Sequence, residues 1–200
     1  SKENKVTFHV CAGLAGGTGS GSVIDTIAQI RKQFAPQHGI GDQYKLHLYL
    51  YVPEMIVANP VHNSGYYQAN GYAALSELNA LSVNAYKPYD VSGLAKNENG
   101  EVKRLLEGCD AFEAAYLFTN INEAGRQLQL GTEISAAVSD FLFQKVVAAE
   151  MGTSGQMARL LNCENNGTEA ERDGSGAPVH GRRFLTFGVK RVEYPETEVE

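Results

Sequence analysis

The chain has 200 residues, of which 43% are hydrophobic and 9% aromatic. That composition belongs to a folded chain with a core rather than to a disordered one, and the length suits one medium domain. A formal charge of −6 argues against a nucleic-acid surface, which needs clustered Lys and Arg. The dense basic pairs Arg31-Lys32, Lys103-Arg104 and Arg182-Arg183 are expected on solvated faces. Cys11, Cys109 and Cys163 are odd in number, far apart and without metal-like spacing to the five histidines. A reducing, cytoplasmic setting without disulfides is the expectation, and Asn166-Gly167-Thr168 reads as a chance sequon. No apolar run approaches the roughly 20 residues that span a bilayer, so no membrane insertion is expected. The chain enters a core strand almost at once and closes on an acidic run, as expected of a piece of a longer polypeptide.

Val6-Thr7-Phe8-His9-Val10-Cys11 has the β-branched and aromatic character of a strand. Residues 12–21, with five glycines, read as a loop, and residues 22–34 as a helix. In that helix Val23, Ile24, Ile27, Ile30 and Phe34 recur at three- and four-residue steps, and Pro36 and Gly39 end it. Residues 44–52 form a second strand in which Leu46, Leu48, Leu50 and Val52 alternate with Lys45, His47, Tyr49 and Tyr51. A loop over 53–65 and a helix over 66–82 follow, the latter with Leu75, Leu78 and Leu81 on one face. Residues 86–110 are polar and irregular, with a turn at Asn97-Glu98-Asn99-Gly100. A third strand spans 114–119. The longest helix spans 131–150, its stripe of Ile134, Val138, Phe141, Leu142, Val146 and Ala149 wide enough to predict burial on more than one side. Residues 152–182 read as a long mobile loop or insertion, and 184–194 as a closing strand. Strands alternating with helices define an α/β class with a mainly parallel, Rossmann-like sheet and helices on both faces.

The segment Gly13-Leu14-Ala15-Gly16-Gly17-Thr18-Gly19-Ser20-Gly21 lies between a strand's carboxyl end and a helix. Glycines let backbone N–H groups approach an anion, the first N–H groups of a helix lack intrahelical acceptors, and the peptide dipoles add about half a positive charge there. Phosphate is the expected guest, with Thr18 and Ser20 adding hydroxyls. A P-loop would place a Lys after the last glycine, where Ser22 stands. A dinucleotide fingerprint would read G-x-G-x-x-G, whereas Gly17, Gly19 and Gly21 give G-x-G-x-G. The competing structural reading is a glycine-rich turn that packs a helix tightly on a strand. No catalytic triad or metal cluster emerges; Ser20 and Ser22 suit phosphate contact or helix capping.

Ala15-Gly16-Gly17-Thr18-Gly19-Ser20-Gly21 resembles the G-G-G-T-G-[ST]-G signature of the tubulin/FtsZ superfamily, with Ala15 in place of the first glycine. The order of elements over residues 5–150 agrees: the strand ending at Val52-Pro53, a helix over 72–81 similar to the family's ribose-side helix, the strand ending Phe118-Thr119-Asn120, and a core helix over 131–150. The likeness is strongest to divergent bacterial tubulin-like proteins. It implies a partial nucleotide-binding domain over 1–150, a flexible loop or insertion over 151–183, and a strand over 184–200 leading onward.

The resemblance further implies GTP or GDP as ligand, with Mg²⁺ on the phosphates, and head-to-tail self-association into protofilaments. By position the phosphates fall to Gly13, Gly16, Gly17, Thr18, Gly19, Ser20 and Gly21, and sugar and base to Asn70, Asn120 and Asp140. A carboxylate at Asp140 can accept from both guanine N1–H and N2–H₂. Against these stand an ordinary solvated Asn70, a helix-flank Asp140 and an Asx turn at Asn120. Two features depart from the family. Its amino-terminal half-sheet, with a second phosphate loop, is not in this sequence. The acidic loop expected from a neighbouring subunit has no Asp beside Phe187-Gly188, and Glu169, Glu171 and Asp173 read as solvated. GTPase activity and a non-hydrolysing scaffold therefore both stay open, with a dinucleotide-binding enzyme fragment as a third reading.

Overall fold

A computed structural model describes residues 6–34, 44–53, 66–106, 110–151, 164, 170–181 and 183–188. Strand β1 (Val6–Gly13) leads into α1 (Gly17–Gln33), then β2 (Tyr44–Tyr51), α2 (Tyr67–Ser82) and β3 (Ala114–Phe118). A π-helical turn (Leu130–Ile134) opens α3 (Ser135–Met151), followed by β4 (Ala170–Arg172), β5 (Pro178–Gly181) and β6 (Phe184–Leu185). The main sheet has the order β1-β2-β3-β6, and every pairing in it is parallel. This is the α/β, Rossmann-like arrangement that alternating strands and helices imply.

β2 is central and buried on both faces, as strands of parallel sheets covered by helices are. Its even-numbered side chains Leu46, Leu48 and Leu50 join Val23, Ile24, Ile27 and Ala28 of α1 and Ala74, Leu78 and Leu81 of α2 in the main core. On the opposite face His47 and Tyr49 are buried, and Tyr49 stacks on Tyr116 with centroids 5.3 Å apart. Phe141 of α3 lies edge-on to both rings and stacks on Phe187 at 4.3 Å. β1 has only β2 beside it among the described residues and is half-exposed along most of its length.

Several expectations need correction. α1 begins at Gly17, not Ser22, so most of the glycine-rich stretch is helix. Within it the Ser20, Ser22 and Thr26 hydroxyls donate to the carbonyls of Gly16, Thr18 and Ser22, one turn back. The apolar face one turn on then seals the helix to the sheet. α3 is packed on one side rather than several: Ile134, Phe141 and Lys145 are buried, whereas Phe143 and Val146 are 68% and 52% exposed. Lys103 and Arg104 are exposed as expected, but the described members of the other two basic pairs are not simply solvated. Arg31 pairs with Glu113 at 2.8 Å, Lys32 with buried Asp90 at 2.7 Å, and buried Arg183 donates to the Phe112 carbonyl.

Within the stretch that reads as a loop, residues 170–181 form an antiparallel hairpin. Asp173 Oδ1 accepts from the backbone N–H groups of Ser175 and Ala177 at its turn. The hairpin docks on α2, where Asn79 donates to the Val179 carbonyl at 2.9 Å and accepts from Gly181 N at 3.0 Å. The irregular region before β3 is organised around Asp90, which accepts from Lys32, Gln29, Ser92 and Ala95 N. Bonds from Lys32 and Gln29 hold its carboxyl well below the usual range. The expected helix stop at Pro36 and Gly39, loop 54–65, Cys109, Cys163, Arg182, the sequon, Glu169, the side chain of Ala149 and the strand beyond residue 188 lie outside the described residues.

Candidate functional site

The junction of β1 and α1 sits at the carboxyl edge of the sheet, where open α/β sheets hold ligands. Gly13 pairs with Tyr51, and Leu14, fully buried, donates its N–H to the Tyr51 carbonyl at 2.9 Å. The chain then turns outward. Gly16 is the N-cap of α1, in an extended conformation and without a side-chain cap, and Ser20 N is the first amide bonded back, to Gly16 O at 3.2 Å. The N–H groups of Gly16, Gly17, Thr18 and Gly19 have no acceptor among the described residues. Gly16, Gly17 and Thr18 are exposed. An uncapped helix end with exposed donors and no acidic residue in its first turn is an anion-binding geometry.

The glycines divide into two kinds. A Cβ on Gly19 would stand 2.0 Å from the Gly13 carbonyl oxygen, so this glycine lets α1 sit directly on the end of β1. A Cβ on Gly13, Gly16, Gly17 or Gly21 would meet nothing within 4 Å. At Gly19 the tight-packing reading of the motif holds. At Gly16 and Gly17 the folded chain gives no steric reason for glycine, and the space there is open to something from outside.

Asn70 is brought to the site. It lies in the first turns of α2 and its Nδ2 donates to the Ala15 carbonyl at 3.3 Å. Gly71 beside it allows the approach, since a Cβ there would stand 2.4 Å from Pro53 Cγ. Ser20's hydroxyl proton is engaged by the Gly16 carbonyl at 2.6 Å, and Thr18's hydroxyl is exposed. Asn120 is buried, 4% exposed, two residues past β3, and its carbonyl accepts Leu128 N. The Asx turn belongs to Asn122, whose Oδ1 accepts from Ala124 N and Arg126 N.

Asp140 is exposed on α3, and its height follows from packing. Phe141 lies against Tyr49, and four residues later Lys145 lies against His47, two residues back along β2. Four helical residues rise about 6 Å and two strand residues about 6.6 Å, so α3 runs antiparallel to the strands. Its amino-terminal end therefore points toward the carboxyl edge at which α1 begins. The Tyr51 hydroxyl, on the α3 side of that edge, is buried without a hydrogen-bond partner among the described residues.

A second polar cluster, invisible to motif reading, lies under α3. Lys145 Nζ donates to His47 Nδ1 at 2.8 Å, to Tyr116 OH at 3.2 Å and to Glu164 Oε1. Tyr116 OH donates to the same carboxylate, and His9 pairs with Tyr49 OH at 3.0 Å. Burial, then the neighbouring Lys145, pushes His47 down to about 3. Burial lowers Lys145 despite Glu164, while His47 and Lys145 draw Glu164 below its usual value against the effect of burial. The only signal in sequence is a Lys on the apolar stripe of a helix, four residues after Phe141. Among the described residues no group of three or more His, Cys, Asp or Glu is placed to hold a metal ion, and no helix is long and apolar enough to cross a membrane.

Parallel sheet, carboxyl-edge glycine motif and a long following helix together define a Rossmann-like α/β domain. The comparisons narrow this: the tubulin-like family model matches residues 1–200, and the chain belongs to that family. No curated protein and no solved structure matches it.

Proposed function

We propose that this tubulin-like domain binds a guanine nucleotide at the amino end of α1 and supports head-to-tail self-assembly. The observation that carries the binding reading is the set of amides at Gly16, Gly17, Thr18 and Gly19 that have no acceptor among the described residues, three of them on exposed residues. A phosphate fits there: donors converge, the helix dipole favours negative charge, and glycines leave the approach clear. Gly16, Gly17, Thr18 and Gly19 would hold the phosphates, with Ser20 and Gly21 completing the turn. Gly13 would shape its base. Asn70 would lie toward the ribose, Asp140 would accept from the base, and Asn120 would back the crevice. GTP would supply the scissile phosphoanhydride, and Mg²⁺ carried on its phosphates would offset their charge. Family membership is what supports guanine and self-assembly, since the tubulin-like family generally has both properties.

A non-hydrolysing scaffold is the second reading. Asp173 is favoured as a turn residue over a water-orienting acid, because its Oδ1 is occupied by Ser175 N, Ser175 Oγ and Ala177 N. Filaments that form on GTP without releasing phosphate would select this reading; phosphate release rising with protein concentration would reject it.

Titration of GTP against the full-length protein and its Gly17→Val variant tests the site. The expected result is a loss of at least about tenfold in affinity with the fold retained, because the new side chain occupies only the open space outside the loop. Unchanged affinity would mean the phosphates bind elsewhere.

A further inference from the structure

The buried cluster beneath α3 has a geometry that the apolar packing around it does not require. Phe141 and Leu142 hold α3 to the sheet through non-directional contacts, which a displaced helix could largely re-form. The Lys145 ammonium has three N–H donors, and each has one acceptor: His47 Nδ1 on β2, Tyr116 OH on β3, and Glu164 Oε1. Because His47 Nδ1 accepts, its ring proton is on Nε2, which faces the second oxygen of Glu164 at 3.8 Å. Lys145, His47 and Glu164 are all at most 6% exposed. A shift of α3 by one turn, about 5.4 Å, would carry the buried ammonium away from both of its acceptors on the strands, His47 and Tyr116. The observed register gives the ammonium all three acceptors, while His47 Nε2 and Glu164 Oε2 have no hydrogen-bond partner among the described residues.

We infer that Lys145 is a positioning residue: with His47, Tyr116 and Glu164 it holds α3 in one register on the sheet and so sets where Asp140, five residues nearer the carboxyl edge, meets a bound base. Selectivity for guanine then depends on a cluster that never touches the nucleotide. This rests on the reading of Asp140 as the residue that accepts from guanine.

The test uses the full-length protein, with the double variant Lys145→Met/Glu164→Gln. It removes both charges together, so neither is left unpaired in the interior and the chain keeps its fold, whereas a single Lys145→Met would leave the Glu164 carboxylate buried without its cation. Three quantities are measured: affinity for tripolyphosphate, which has no base; preference for GTP over inosine triphosphate, which lacks the N2 amino group; and amide hydrogen exchange along α3. The double variant is expected to bind tripolyphosphate as the unaltered protein does, to lose most of its guanine preference, and to exchange α3 amides at least about tenfold faster. Asp140→Ala is the control. If it abolishes the preference while the double variant keeps it, the register role is overturned and the guanine reading stands. If Asp140→Ala leaves the preference intact, the guanine reading fails, and the register role stands or falls on exchange alone: acceleration confined to α3 supports it and unchanged exchange overturns it. Equal loss of GTP and tripolyphosphate by the double variant would also overturn it, in favour of a general structural role.

Discussion

The two faces of the sheet are built on different physics. Under α1 and α2 the strands present Leu46, Leu48 and Leu50 to an aliphatic core. Under α3 the same strand presents His47 and Tyr49 to a layer of aromatic rings and buried charge. Aliphatic burial is non-directional and scales with area, so it stabilises without specifying a register. The charged layer contributes little net stability, since desolvation offsets much of the attraction, but it penalises every arrangement except one. The first face holds α1 and α2 to the sheet; the second determines where α3 stands.

The comparison can be broken or sharpened by measurement. Leu48→Ala should cost about 2–5 kcal/mol in chemical denaturation, by lost transfer energy and a cavity, nearly independent of pH. Equal pH sensitivity in this variant's loss would contradict the division between faces. The charged face should show itself in acid. The unfolded chain binds a proton at His47 near pH 6.5, whereas the folded chain resists until about 3. Stability should therefore be complete above pH 6.5 and decline by up to a few kcal/mol toward pH 3. His47→Gln should flatten that decline; an unaltered pH profile would show that His47 is not held neutral.

At the site the contrast between glycines gives the next effect. Gly19→Ala should destabilise by about 1–3 kcal/mol, because the new methyl meets a backbone carbonyl that cannot easily move. Cutting the hairpin's anchor by Asn79→Ala should cost about 1 kcal/mol and raise hydrogen exchange in 178–181. Gly17→Ala should be smallest, within about 1 kcal/mol of the parent in thermal melts and in the stabilising direction if helix propensity dominates. A large loss there would reveal an internal packing role that the geometry excludes.

Much of the architecture was legible in the chain. The β-branched run at 6–11, the leucine alternation of β2 and the three- and four-residue steps of α1 all mark elements that formed. They are local patterns, and the sheet they build needs no long-range detail to be anticipated. The start of α1 was not legible, because glycines and serines signal a turn by intrinsic preference. Here the apolar packing of the following turns on the sheet and the close seat of Gly19 on Gly13 override that preference. What covers the other face of β2 was not legible, because a His and two Tyr in alternation do not name the element that packs on them. The hairpin at 170–181 was hidden by polar composition; its strands are short and rely on α2 for their bonds.

For the candidate site, the sequence by itself determined the chemistry at the mouth of α1, since small residues between a strand and a helix leave amides free wherever the chain goes. It could not determine which glycines serve packing and which leave space, because that depends on atoms brought together across the turn. Nor could it bring Asn70 to Ala15, or Lys145 to His47 and Glu164, 98 and 19 residues away. Those pairings exist only once the sheet aligns distant segments, and a buried charge has no local pattern by which its partner can be read.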